Sequence, residues 1–331
     1  MKRTSIHTIF GSAICAFTAL FAPSCSSTEV VDTPDPSPKG KLITIDLSGP
    51  ATTSTRADAS HLLRYTAKLF SGSFENNNVK KEFLEMRQVI ASDDKATITF
   101  SVEEGTYSIL LFADYIPAQS AQANEAGLYE DCYYDTSNKS QVIEVKKFEI
   151  NNDHLDCFSA YLVVDKTAQE VREEITLSRM VSKIRFVSLT DQAEDFSSIK
   201  ISKLCYFKQI DQIAGNNSAS QYAEPTYSAT HAYASLAPVD KDSHELFFFY
   251  TPANTNSQTT LKEISFSINN GAESKDITIP SGELTAKRNT ITTVQGAFLS
   301  PVPPVLGDII LDLSIPDPDG WESNNITVTV D

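Results

Sequence analysis

An all-β fold, built as two tandem antiparallel β-sandwich domains, is what this sequence predicts, and three observations predict it. From Lys41 onward the apolar residues recur with a period of two. Ile43, Ile45 and Leu47 alternate with Leu42, Thr44 and Asp46; Ala96–Val102 alternates likewise, as do Ile143 and Val145, and later Ile264, Phe266 and Ile268. Runs rich in β-branched and aromatic residues, Tyr107–Phe112, Ser159–Val164, Met180–Val187 and Leu246–Tyr250, are separated by clusters of Asn, Asp, Ser, Gly and Pro. Helical periods are scarce: Lys166–Glu174 has room for a short helix, and Lys81–Arg87 is ambiguous because Phe83, Met86 and Val89 have helical spacing. Strands without intervening helices hide their apolar faces on one another, which favours sandwiches over a parallel sheet.

Taken in chain order, the first element is an address. Lys2 and Arg3 precede an apolar stretch (Ile9, Phe10, Ala13–Phe17, Ala19–Ala22) that stops at Pro23-Ser24-Cys25, the three-part pattern of a secretory signal. Cys25, with small Ser24 before it, resembles the lipidated cysteine of a bacterial lipoprotein signal; an ordinary signal peptide cut nearby is the other reading. No later segment approaches the ~20 apolar residues of a transmembrane helix. Residues 1–24 are therefore expected to be the signal and 25–40, rich in proline and small polar residues, a flexible tether. Residues 41–190 are expected to form one sandwich and 191–331 a second, with terminal strands over 308–331. The boundary is placed where Ser188–Asp195 lapses into polar residues.

Charge and chemistry then exclude function classes. The net charge of −16 would repel a phosphate backbone, so nucleic acid is not expected as a partner. There is no Gly-x-Ser-x-Gly elbow, phosphate-binding loop, His-Glu-x-x-His or dinucleotide fingerprint, and the five histidines are scattered. No catalytic residue, metal site or cofactor is expected. Asp317-Pro-Asp-Gly320 reads as a tight turn because further calcium ligands at loop spacing are missing. Besides Cys15 in the signal and Cys25, the cysteines are Cys132, Cys157 and Cys205. That odd number is no disulfide framework: Cys132 with Cys157 is the candidate bridge, and buried free thiols are the alternative. Tyr129, Tyr133, Tyr134 and Phe247–Phe249 could stack on sugars or fill cores.

Three stretches, in this order, resemble the fimbrillin-like lipoproteins that build or anchor type V pili. They are Leu62-Leu-Arg-Tyr-Thr-Ala-Lys-Leu-Phe70 with Gly105–Tyr115 ending in Ala-Asp-Tyr; Ile175-Thr-Leu-Ser-Arg-Met-Val-Ser-Lys-Ile-Arg-Phe186; and Ala286-Lys-Arg-Asn-Thr-Ile-Thr-Thr-Val-Gln-Gly-Ala-Phe-Leu299. The resemblance implies two transthyretin-like, Greek-key domains and a non-enzymatic pilus subunit or accessory adhesin that assembles by donor-strand exchange. A precursor fills its own groove with an N-terminal strand, a protease cuts after an arginine, and a strand from another subunit refills the groove. Here the self-complementing strand would carry Ile43, Ile45 and Leu47, the cut would fall between Arg56 and Ala57, and Ile326, Val328 and Val330 would face the groove as donor; a surface arginine in a loop and a terminal hairpin completing the chain's own second domain are the other readings of the last two.

The partners so implied are other pilus subunits, the outer membrane through the lipid on Cys25, and a host or bacterial surface receptor, at the cell surface or in the fimbrium. Anchors of this type keep their lipid and lack a donor, whereas stalk subunits have both cut and donor; this chain has features of both. The alternative is a tethered surface lipoprotein, glycan-binding or anchoring a pilus, that does not polymerise.

Overall fold

The first half of the chain turns its period-two pattern into two facing sheets. The computed structural model describes residues 41–49, 60–75, 81–92, 94–189, 198–213, 216–217, 222–223, 227, 229–232, 237–240, 243–254, 258–269, 274–296, 298, 310–311 and 322–323. Ten strands occupy the first part: β1 (Leu42–Ser48), β2 (His61–Ser71), β3 (Glu82–Ile90), β4 (Lys95–Ser101), β5 (Gly105–Pro117), β6 (Tyr134–Asp135), β7 (Val142–Val145), β8 (Cys157–Lys166), β9 (Val171–Thr176) and β10 (Ser178–Arg179). One sheet has the order β4-β1-β9 and the sheet facing it the order β10-β8-β5-β2-β3. Alternate residues Tyr65, Ala67 and Leu69 of β2 and Ile109, Leu111 and Ala113 of β5 meet Ile43, Ile45, Ile98 and Phe100 in one core. This is an inter-sheet core of the kind that alternation specifies.

Both ambiguous segments are strands. Glu82–Ile90 pairs antiparallel with β2, Arg64 opposite Ile90 and Ser71 opposite Glu82, so the helical spacing of Phe83, Met86 and Val89 is overridden by the ladder. The short helix for which Lys166–Glu174 has room is not formed. β8 runs to Lys166, whose buried ammonium donates to the carbonyls of Thr167 and Gln169 in the turn, and Val171–Thr176 then lies along β1. Six backbone pairings to β1 outweigh the modest helix preference of Arg172, Glu173 and Glu174.

The remainder contributes β11 (Val181–Leu189), β12 (Ser198–Lys203), β13 (Tyr206–Phe207), β14 (Gln209–Asp211), β15 (Asn216–Asn217), β16 (Tyr222–Ala223), β17 (Ala229–Ala232), β18 (Ala237–Asp240) and β19 (Ser243–Pro252). It continues with β20 (Thr259–Thr260), β21 (Ile264–Asn269), β22 (Ser274–Ile279), β23 (Thr285–Ala286), β24 (Thr290–Gly296), β25 (Ile310–Leu311) and β26 (Glu322–Ser323). Two sheets, β18-β19-β11-β24-β25 and β17-β12-β21-β22, enclose a second core, with β26 also paired to β24; β13-β16 and β20-β23 are two-strand ladders. Its centre is aromatic: Phe186 stacks on Phe247 at 4.4 Å, and Phe266 meets both edge-on. β11, which the sequence reading puts at the end of the first block, pairs with β19 and β24 of the second.

A small sheet joins the two halves. Its order β15-β14-β7-β6 sets Ile143 opposite Ile210, and both are buried in a third apolar cluster with Phe112, Tyr134, Val181 and Phe248. All described residues lie in one compact unit. Among them no helix is long and apolar enough to cross a membrane.

Candidate functional site

Seven residues complete the first sandwich from the inside. β1 is the middle strand of its sheet, antiparallel to β4 and parallel to β9, with Ile45 opposite Ile98 on one side and Glu173 on the other. The side chains of Ile43, Ile45 and Leu47 point into the core and are 0%, 0% and 2% exposed. Burial of three such side chains stabilises the closed sandwich by about 1.5–3 kcal/mol each, as an upper estimate. Neighbouring chain closes both ends: Val102 N–H donates to the Lys41 carbonyl at 2.8 Å and Leu177 N–H to the Ser48 carbonyl at 3.0 Å. A Lys41–Glu103 ion pair flanks the first of these.

The outward face of β1 is polar and partnered at every second residue. Thr44 Oγ1 lies 3.4 Å from Thr99 Oγ1, and Ser48 Oγ 3.0 Å from Thr176 Oγ1. Between them Asp46 accepts from Arg172 Nε at 2.7 Å and from Thr97 Oγ1 at 2.8 Å. These two hydrogen bonds, Arg172 first, hold the Asp46 carboxyl below the usual carboxylate range. The pair is solvated, so it selects register more than it stabilises. Without β1, β4 and β9 would each present an unpaired edge beside an apolar trough lined by Tyr65, Phe100 and Ile109. Chemically the site is a slot for an extended strand, parallel to β9, with three apolar side chains at alternate positions.

Of the other residues singled out from the sequence, Cys25, Arg56, Ala57, Ile326, Val328 and Val330 lie outside the described residues, as does the turn at Asp317–Gly320. Cys132, Cys157 and Cys205 are free thiols; Cys157 is wholly buried, and burial pushes its thiol well above the ordinary range. Most of the aromatics weighed as a sugar platform fill cores: Tyr133, Tyr134, Phe247, Phe248 and Phe249 are at most 6% exposed, which removes them as a stacking face. They are inside because β19 is covered on both faces, with Phe247 and Phe249 in the second core and Phe248 in the third cluster beside Tyr133 and Tyr134.

Sequence reasoning missed a set of buried ionic contacts. Arg64 of β2 donates from Nε and one terminal nitrogen to both carboxylate oxygens of Asp114 on β5, at 3.0 and 2.8 Å, and its other terminal nitrogen reaches Asp131 at 2.8 Å. Lys68, two turns of the pleat along the same face, donates to Asn138 Oδ1 and the Ser140 carbonyl; burial lowers its pKa to about 8 against the pull of Asp135 and Asp131. Arg179 of β10 donates to Asp156 at 2.9 Å and to Asn289 Oδ1 at 2.9 Å. The charges of Arg64, Lys68 and Asp114 inside otherwise apolar strands signal that buried partners exist, but not which residues they are. The structure also brings together two histidines that are distant in sequence: the rings of His61 and His154 stack at 3.5 Å, with the Tyr133 hydroxyl 3.2 Å from His61 Nε2. Among the described residues no group of three or more His, Cys, Asp or Glu side chains is placed to hold a metal ion.

A family model described as a family of unknown function (DUF6562) matches residues 40–323. No curated protein matches the chain. Solved structures similar to it include the fimbrial anchor protein Mfa2 from Porphyromonas gingivalis, at 11% identity and a TM-score of 0.43 over 87% of this chain and 99% of that one. A fimbrial assembly protein from Parabacteroides distasonis is similar at 13% identity and 0.41, over 82% and 93% of the two chains. The tip fimbrial protein Mfa3 from Porphyromonas gingivalis is similar at 13% and 0.38, over 82% and 97%.

Proposed function

We propose, for a chain that belongs to the DUF6562 family of unknown function, the role of a non-enzymatic, lipid-anchored surface precursor that becomes a pilus subunit by strand exchange. The observation that carries this reading is the place of β1: a short N-terminal strand, paired on both edges, whose three inward side chains fill the core of the first sandwich. A strand so placed holds the slot until it is removed, and its removal leaves a template that only another alternating strand satisfies. Lipidation at Cys25 would tether the precursor to the outer membrane, and a cut between Arg56 and Ala57, in the connection between β1 and β2, would free both tether and strand. A strand from residues 308–331 of the next copy would then complete the fold. Among the described residues the slot offers backbone pairing, apolar contact, the hydroxyls of Thr97, Thr99 and Thr176 and the solvated Arg172–Asp46 pair, in keeping with an assembly module.

The test is deletion of residues 308–331. The expected result is loss of subunit ladders from the native envelope, with the deleted chain still folded by its cooperative thermal transition. Ladders of unchanged abundance would overturn the reading.

A further inference from the structure

β1 has a near-copy elsewhere in the chain. Ile43-Thr-Ile-Asp-Leu-Ser48 and Ile309-Ile-Leu-Asp-Leu-Ser314 share four of six residues, and the remaining two positions are Thr44 against Ile310 and Ile45 against Leu311. Alternating apolar residues alone would mean little, since any half-buried strand has them. What separates this match is the outward face. Asp312 falls where Asp46 binds Arg172 and Thr97, and Ser314 where Ser48 meets Thr176.

Resting on the strand-exchange reading, we infer that the slot between β4 and β9 is built to receive residues Ile309–Ser314 of a second copy of this chain, with Arg172 and Thr97 reading Asp312. The register follows from β1. Ile309, Leu311 and Leu313 take the inward places of Ile43, Ile45 and Leu47, Ile310 lies opposite Thr99, and Asp312 lies opposite Thr97. The segment Ile326–Val330 offers the same inward spacing but sets Thr329 where the slot holds Asp46, leaving Arg172 without its acid. A guanidinium that is matched by one candidate and not by the other is a specificity device, acting by difference of affinity and by register. Donation requires Ile310 and Leu311 to leave their own β24, where they pair with Gln295 and Val294 over two residues. The slot offers six or seven pairings on each side in return.

Cysteine trapping in the full chain, expressed in its native envelope, tests this. Thr99→Cys with Ile310→Cys should give disulfide-linked ladders that collapse on reduction; Thr99→Cys with Thr327→Cys should not. Arg172→Glu in the first pair should cut the ladder about fivefold, and Asp312→Arg should restore it, the scale expected of a solvated ion pair in a competitive choice. Ladders from the Thr327 pair instead would overturn the inference and leave strand exchange standing. Ladders from neither pair, with the unaltered chain still polymerising, would also overturn it. An unaltered chain that forms no polymer would overturn the reading on which it rests.

Discussion

Arg64 and Asp114 face each other across β2 and β5 as a wholly buried, two-bond ion pair, each with 0% of its side chain exposed. Both come from the Leu-Leu-Arg-Tyr and Ala-Asp-Tyr stretches singled out in the sequence, so these motif residues meet in space. Asp131, held by the Thr136 N–H and hydroxyl, takes the remaining guanidinium nitrogen and ties the 129–136 segment onto the outer face of the sheet.

Asp114→Ala is therefore expected to destabilise the chain by about 3–5 kcal/mol, because it leaves the Arg64 charge buried and short of its main partner. A fall in the urea midpoint with unchanged slope would show it. Replacing Arg64 and Asp114 together by Met and Leu should cost less than Asp114→Ala alone, since the fully buried charge is then gone and Asp131, though it loses Arg64, is still held by the Thr136 N–H and hydroxyl.

Arg179 and Asn289 join the second and third motif stretches in the same way. Asn289 has φ 59°, a left-handed conformation that asparagine tolerates, and its Oδ1 accepts from Arg179 while its N–H donates to the Val181 carbonyl. Asn289→Ala should cost about 2 kcal/mol, combining left-handed strain with the lost hydrogen bond, and Asn289→Gly about half of that. Thermal unfolding of the two variants checks the order.

The buried ammonium of Lys68 makes stability depend on pH in a definite direction. Its folded pKa of about 8 lies below the ordinary lysine value of 10.5, so between those values the unfolded chain binds the proton more tightly. Stability then rises with pH through that window, and the full penalty of burying the charge stands below about pH 8. Buried Tyr65 and Cys157 have raised values and act in the opposite sense at high pH, so the comparison must be with a variant. Subtracting the urea stability of Lys68→Met from that of the native chain at pH 7.5 and 9.5 should give a difference that moves in favour of the native chain at the higher pH.

Seating of β1 can be probed directly at its centre. Ile45→Ala should cost about 2–4 kcal/mol through the cavity it leaves, whereas Asp46→Asn on the solvated face should cost under about 1 kcal/mol. Hydrogen exchange of the β1, β4 and β9 amides would report the first change as faster opening of all three strands together.

How much of this was legible in the sequence follows from which forces act locally. Strict alternation over Ile43–Leu47 and Ile264–Ile268 gave strands and their inward faces, because the period-two pleat is a property of each strand alone. Lys166–Glu174 misled because its glutamates favour a helix locally, and only pairing with β1, more than a hundred residues away, makes Val171–Thr176 a strand. The small sheet that links Val142–Val145 to Gln209–Asp211, and the contacts from Arg64 to Asp114 and Arg179 to Asn289, depend on topology that no local pattern encodes. Of the site, the strand and its inward residues were readable; its neighbours, its parallel pairing to β9 and the grip of Arg172 on Asp46 were not.

Whether β1 is a temporary occupant is tested most directly by the intact mass and N-terminal residue of the protein isolated from its native envelope. A mature chain that begins at Ala57 and carries no lipid is the predicted result. A lipidated Cys25 as the sole mature start would contradict it.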